Sequence, residues 1–152
     1  MSDNEIFGPG TLGANASNLL TMAHFLWDRS TAGGRSPSAV EALQLSIEKY
    51  FRHYLNITGK RVSRQFIRSH SIVLLASKCD FPTTLEEREC LLRTDAYILF
   101  IHSEKFNTEA RFPDETYTER LFTLAESVRT FVLAKQEEVN QRDSTLQSEQ
   151  PV

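Results

Sequence analysis

His70 is the residue in this chain best suited to moving a proton, and it lies two residues after Arg68 and six after Arg64. Cleaving RNA without a metal needs a base for the 2′-hydroxyl proton and a cation for the charge that develops on phosphate. His70 with Arg64, or with Arg68, supplies those two residue types. The other use of His70 is structural, at a helix start with a hydrogen bond to a backbone group or a carboxylate. That structural use is the one expected. No second acid is evident to protonate the leaving oxygen unless a second copy brings its own His70. No ribonuclease activity is therefore expected of the isolated chain.

The same stretch holds the sharpest charge contrast in the sequence. Between Lys49 and His70 stand Lys49, Arg52, Lys60, Arg61, Arg64 and Arg68, with His53 among them and no Asp or Glu. The stretch carries +6, whereas residues 1–48 total −3 and residues 71–152 total −6, which leaves the chain at −3. Such segregation makes a local anion-binding surface within an acidic whole. Lys49, Lys60, Arg61, Arg64 and Arg68 are the candidate ligand-binding residues, since arginine's planar fork can donate two hydrogen bonds to one phosphate. The free N–H groups of a helix starting near Ser69 would add to that site. The competing account is a solvated loop whose charges balance neighbouring acidic helices.

Other chemistries are set aside by residue type and spacing. There is no glycine-rich phosphate loop. The four histidines show no i, i+4 metal pair, and the two cysteines, Cys79 and Cys90, form no CxxC. No metal and no cofactor are expected. No apolar run approaches a membrane span, and the first ten residues lack the basic and apolar regions of a signal peptide. A reduced, cytoplasmic setting without membrane attachment is the default expectation.

The elements that must position these residues all read with a helical period. At 152 residues the chain suits one domain. Residues 1–13 hold three of the six glycines and read as a flexible tail, and residues 140–152 read as a disordered one. Between them, residues 14–139 predict one helical domain. Leu19, Ala23, Leu26 and Ser30 form the first stripe, which Gly33-Gly34 ends. Ser36-Pro37 opens a second helix with the stripe Val40, Leu43, Ile47, Tyr50 or Phe51 and Tyr54, closed by Gly59. A short helix carries Ile72, Val73, Leu75 and Ala76. Thr84 and Glu87 form a capping box for a fourth helix with the stripe Leu92, Ala96 and Leu99, reaching toward Phe106. Thr116 and Glu119 have the same spacing ahead of Leu121, Leu124, Val128 and Phe131. Glu48 and Lys49 read as exposed helix residues paired at helical spacing. The aromatics Tyr50, Phe51, Tyr54, Tyr97, Phe100 and Phe106 read as core or interface. The predicted class is all-α, an antiparallel bundle of four main helices plus one short one.

The order of these elements resembles the HEPN family of small all-helical domains, over roughly residues 17–135. Ser46-Ile47-Glu48-Lys49 falls where that family shows an AEK run. RSHSIVLLA, with His70, is similar to its THDL segment. Ala110-Arg111-Phe112-Pro113-Asp114 is similar to its ARYPD turn and is the most specific piece. The resemblance implies a homodimer that binds nucleotide or RNA, or a partner protein such as a nucleotidyltransferase in a toxin–antitoxin type of pairing. Ribonuclease members carry an arginine followed by a polar residue and then a histidine. Arg64-Gln65 and His70 meet that spacing, which makes a metal-independent endoribonuclease the alternative and a pure interaction module a third. The turn residues Arg111, Pro113 and Asp114 are expected to act structurally, Pro113 forcing a bend and Asp114 capping the next helix.

Overall fold

The computed structural model describes residues 1–28, 37–101 and 115–149. These residues form seven helices and no strand. They are α1 (Asp3–Phe7), α2 (Leu12–Asp28), α3 (Pro37–Thr58), α4 (Arg64–Arg68), α5 (Ile72–Lys78), α6 (Leu85–Ile101) and α7 (Glu115–Glu149). The Gly33-Gly34 stop, the Arg111–Asp114 turn and Phe106 lie outside the described residues.

α3 is the centre of the packing, in contact with α2, α7, α5 and α6. Its expected stripe is the core: Val40, Leu43, Ile47, Tyr50 and Phe51 are fully buried. Each such side chain contributes about 1.5–3 kcal/mol by leaving water. The α2–α3 pair is built from small residues. Ala16 and Ala23 of α2 and Ala42 and Ser46 of α3 are buried, and Ser46 Oγ donates to the Ala16 carbonyl at 2.7 Å. From α7, Leu121, Leu124, Val128 and Val132 complete the core. Cys79 and Cys90 are buried free thiols.

Local signals mark several boundaries. Thr84 and Glu87 exchange the reciprocal bonds of a capping box, Thr84 N–H to Glu87 Oε1 at 3.0 Å and Glu87 N–H to Thr84 Oγ1 at 3.1 Å. Gly59, with φ +71°, ends α3 in the left-handed conformation that glycine adopts without a Cβ penalty. α7 begins at Glu115, so Thr116 lies inside the helix.

Two expectations about the ends are corrected. Residues 1–13 are not a loose tail. α1 packs on α2 and α7, and Phe7 is buried beneath Gly13 and against Tyr50 and His53. Asp3 is clamped by Arg129, whose Nε and Nη2 donate at 2.7 and 2.6 Å, and by the Ser17 hydroxyl at 2.7 Å. Because Ser17 gives its proton to Asp3, the Tyr50 hydroxyl donates to Ser17 in turn. At the other end, where a disordered tail was expected, α7 continues to Glu149, with residues 140–148 exposed. Their sequence is polar, but it contains no glycine or proline to stop a helix already nucleated on the core.

A third correction concerns α6. Its buried face is Cys90, Leu91, Thr94 and Tyr97, while Leu92, Ala96 and Leu99 are exposed. The helix carries two apolar faces, and the folded chain buries the one that mixes polar with apolar residues. Thr94 serves there as a polar link, donating to the Cys90 carbonyl and accepting from the Tyr117 hydroxyl.

Candidate functional site

The basic stretch spans the end of α3, the turn after Gly59, α4 and the entry to α5. Its cations fall into two groups by what they already hold. Arg52 pairs with Glu48 at 3.0 Å one helical turn away. Lys60 donates to Asp80 Oδ2 at 3.1 Å and to the Lys78 carbonyl at 3.2 Å. The hydrogen bond from Asp80 raises the Lys60 pKa above its ordinary value. By contrast, Arg61, Arg64 and Arg68 are exposed and make no ion pair among the described residues. Arg64 and Arg68 begin and end α4, four residues apart, so they share one face of that turn. Lys49 is half-buried on α3, without an ion pair among the described residues.

These cations do not converge on a single pocket. Lys60 and Arg61 line a crevice of about 520 Å³ with Phe66 and Leu74. Arg68 and His70 line another, of about 510 Å³, between α3, the start of α5 and α6. Arg64 lines neither, so the arginine that shares a crevice with His70 is Arg68. Lys60, Arg61, Arg64 and Arg68, expected to face one surface, thus share no single crevice.

His70 sits at the mouth of the second crevice in an unusual conformation. Its φ is +53°, a left-handed backbone that non-glycine residues seldom adopt. Nδ1 donates to Glu48 Oε1 at 2.7 Å, and the His70 carbonyl accepts from Gln44 Nε2 at 3.3 Å. The Glu48 side chain is only 4% exposed, whereas that of His70 is 62% exposed. Glu48 is therefore not the exposed helix residue expected. It is a buried carboxylate held by Arg52 and His70 together, which satisfies the rule that a buried charge must be paired. With Nδ1 engaged by Glu48, Nε2 has no hydrogen-bond partner among the described residues.

The helix start expected to cradle an anion is already occupied from within the chain. Asp95 of α6 accepts from Ile72 N–H at 2.9 Å, from Val73 N–H at 3.2 Å and from the Ser71 hydroxyl at 2.6 Å. Ser71 in turn caps α5 by accepting from Leu74 N–H. The α5 terminus therefore takes no further phosphate.

No protein-family model, curated protein or solved structure matches the chain. Its chemistry rests on its own residues.

A second histidine, buried where His70 is exposed, was not singled out by its sequence. His53 accepts from Gly13 N–H at Nδ1, at 3.0 Å, and donates from Nε2 to Gln136 at 2.6 Å. Gln136 donates to Asn140, and Asn140 to the Ile6 carbonyl. Burial lowers the His53 pKa below its ordinary value. Protonating Nδ1 would also break the Gly13 bond. Burial likewise pushes the Cys79 thiol up to about 12 and the Cys90 thiol up to about 11, which makes both inert as nucleophiles at neutral pH. Among the described residues no cluster of three His, Cys, Asp or Glu could hold a metal ion. Among the described residues no helix is long and apolar enough to cross a membrane.

Proposed function

We propose that the chain is a HEPN-like helical domain that binds a phosphate-bearing ligand, RNA or nucleotide, along the ridge made by Arg61, Arg64 and Arg68. The observation that carries this reading is the set of three exposed arginines, none with a carboxylate partner among the described residues, on a segment where Arg52 and Lys60 are already paired. Arginines that only balanced neighbouring acids would be found against them. The order of helices, with α3 packed on both α2 and α7, supports the antiparallel bundle of the resembled family. Binding rather than catalysis is favoured, because Arg64 is outside the crevice that holds His70. The role in a toxin–antitoxin or nucleotidyltransferase-linked system, and the homodimer, belong to the same proposal.

The test is titration of a fluorescent single-stranded RNA, with a nucleoside triphosphate as a second probe, at several salt concentrations. Binding should weaken steeply with salt as counterions are released. The Arg64→Glu/Arg68→Glu variant should abolish it while remaining folded. Unchanged binding in that variant would overturn the proposal.

One observation favours a second reading, the metal-independent endoribonuclease. Glu48 orients His70 so that Nε2 is open as a base, and Arg68 lines the same crevice. RNA cleavage lost in His70→Ala would promote it, with Arg68 in the place assigned to Arg64.

A further inference from the structure

α6 has a face that the other described residues leave uncovered. Leu85, Leu92 and Leu99 recur every seven residues and are 88%, 52% and 74% exposed. Ala96 is exposed between the last two, and Glu89, paired in cis with Arg93 at 3.1 Å, lies between the first two. The stripe 85, 89, 92, 96, 99 has the 4–3 spacing of a coiled-coil seam and runs about 21 Å along the helix. A helix serving only its own core has no use for a leucine in water at every second turn.

We propose that this face pairs with the same face of a second copy of the chain, the two α6 helices running antiparallel across a two-fold axis; this rests on the homodimer of the proposed function and assigns its interface. The flanking charges identify the occupant and its direction. Glu86 and Arg93 border the seam on one side, Arg88 and Asp95 on the other. In an antiparallel pair, Glu86 meets Arg93 of the second copy, and Arg88 approaches Asp95 of the second copy. In a parallel pair, Arg88 would instead meet Arg93, like against like. Self-complementarity of this kind is what an isologous two-fold contact requires. Antiparallel pairing sets Leu85 against Ala96 and Leu99 of the second copy, with the two Leu92 side chains near the axis. Glu89 next to the axis makes the contact weaker than an all-leucine seam and limits register slips. Leu99 also lines the crevice of His70. The second copy therefore borders the crevice that Arg68 and His70 line.

The experiment is sedimentation velocity of the full chain over a wide concentration range. Wild type should show a reversible monomer–dimer equilibrium. Leu92→Lys, at the axis, should weaken the dimerisation constant by about a hundredfold. Leu85→Lys gives a second probe at a site too exposed to affect folding. Met22→Lys, on the exposed side of α2, should change nothing. Arg93→Glu should weaken association, and Glu86→Arg/Arg93→Glu should restore it. A wild-type chain that stays monomeric, or a dimer indifferent to Leu92→Lys and Leu85→Lys, overturns the proposal. Tightening by Arg93→Glu overturns the antiparallel arrangement.

Discussion

Glu48 and His70 share a 2.7 Å hydrogen bond across 22 residues of sequence, one side chain sealed inside the protein and the other in solvent. The bond anchors the linker between α4 and α5 to α3. It also holds His70 in a left-handed backbone conformation, which costs energy that the neighbouring contacts must offset. Arg52 and Gln44 complete the surroundings of the carboxylate, at 3.0 and 3.5 Å.

Removing that carboxylate should be costly. Glu48→Ala removes the carboxylate that Arg52 and His70 share, and the loss of hydrogen bonds to a charged group costs about 1.5–3 kcal/mol. Glu48→Gln keeps the shape and part of the hydrogen bonding, so its loss should be smaller. Urea unfolding of the two variants checks the order. Equal stability of Glu48→Ala and wild type would show that the pair does not hold the linker.

Acid should destabilise the fold in two windows. The folded-state pKa of His53 lies below its ordinary 6.5 because burial disfavours the charged ring. Below about pH 6.5 the unfolded chain takes up a proton that the folded chain refuses, so stability falls as pH descends, until the folded pKa is passed. Arg129 holds the Asp3 carboxyl below its ordinary 3.8. Its stabilising contribution is complete above that value and is lost as pH falls further, toward the lowered pKa. Urea midpoints over a pH series should show both declines, and His53→Gln should flatten the first relative to wild type.

The arginine ridge should be readable one residue at a time. Each of Arg61→Ala, Arg64→Ala and Arg68→Ala should reduce the slope of log affinity against log salt by about 0.7 for single-stranded RNA. Lys60→Ala should change it less, since that ammonium is already held by Asp80. Stability should stay within about 0.5 kcal/mol for these exposed arginines. Slopes unaffected by any of the three would place the ligand elsewhere.

Gly13→Ala should dislodge α1. A Cβ there would lie 2.4 Å from Cδ1 of Phe7, closer than atoms can approach. Phe7 must then shift, at a cost of about 1–3 kcal/mol. Phe7→Ala should absorb part of that cost, so the double variant should be less unstable than the sum of the singles. Strict additivity in thermal unfolding would show that the two residues do not touch.

What could be read without coordinates was local. The stripe from Val40 to Phe51, the Thr84–Glu87 box and the Gly59 stop are short-range patterns, and the structure shows all three. α1 was hidden because Gly8, Gly10 and Gly13 look like a loose end. Gly13 is small because Phe7 lies over it, a reason visible only in three dimensions. Glu48 and Asp95 were missed as site residues because their partners stand 22 to 24 residues away. α6 misled differently. Its apolar residues outnumber what one face can hold, and periodicity does not say which face turns inward. Burial went to the side where Thr94 and Tyr117 could be satisfied together.

The clasp of α1 also bears on when this chain can finish folding as it is made. Asp3 is gripped by a residue 126 positions later, and the Ile6 carbonyl by one 134 positions later. At translation speeds of roughly 5–20 residues per second, the first helix waits roughly 6–25 seconds after synthesis for its partners. The α2–α3 hairpin can assemble meanwhile from neighbouring segments. The Asp3–Arg129 and Ile6–Asn140 contacts then close last, as a latch that only a chain translated past Asn140 can shut.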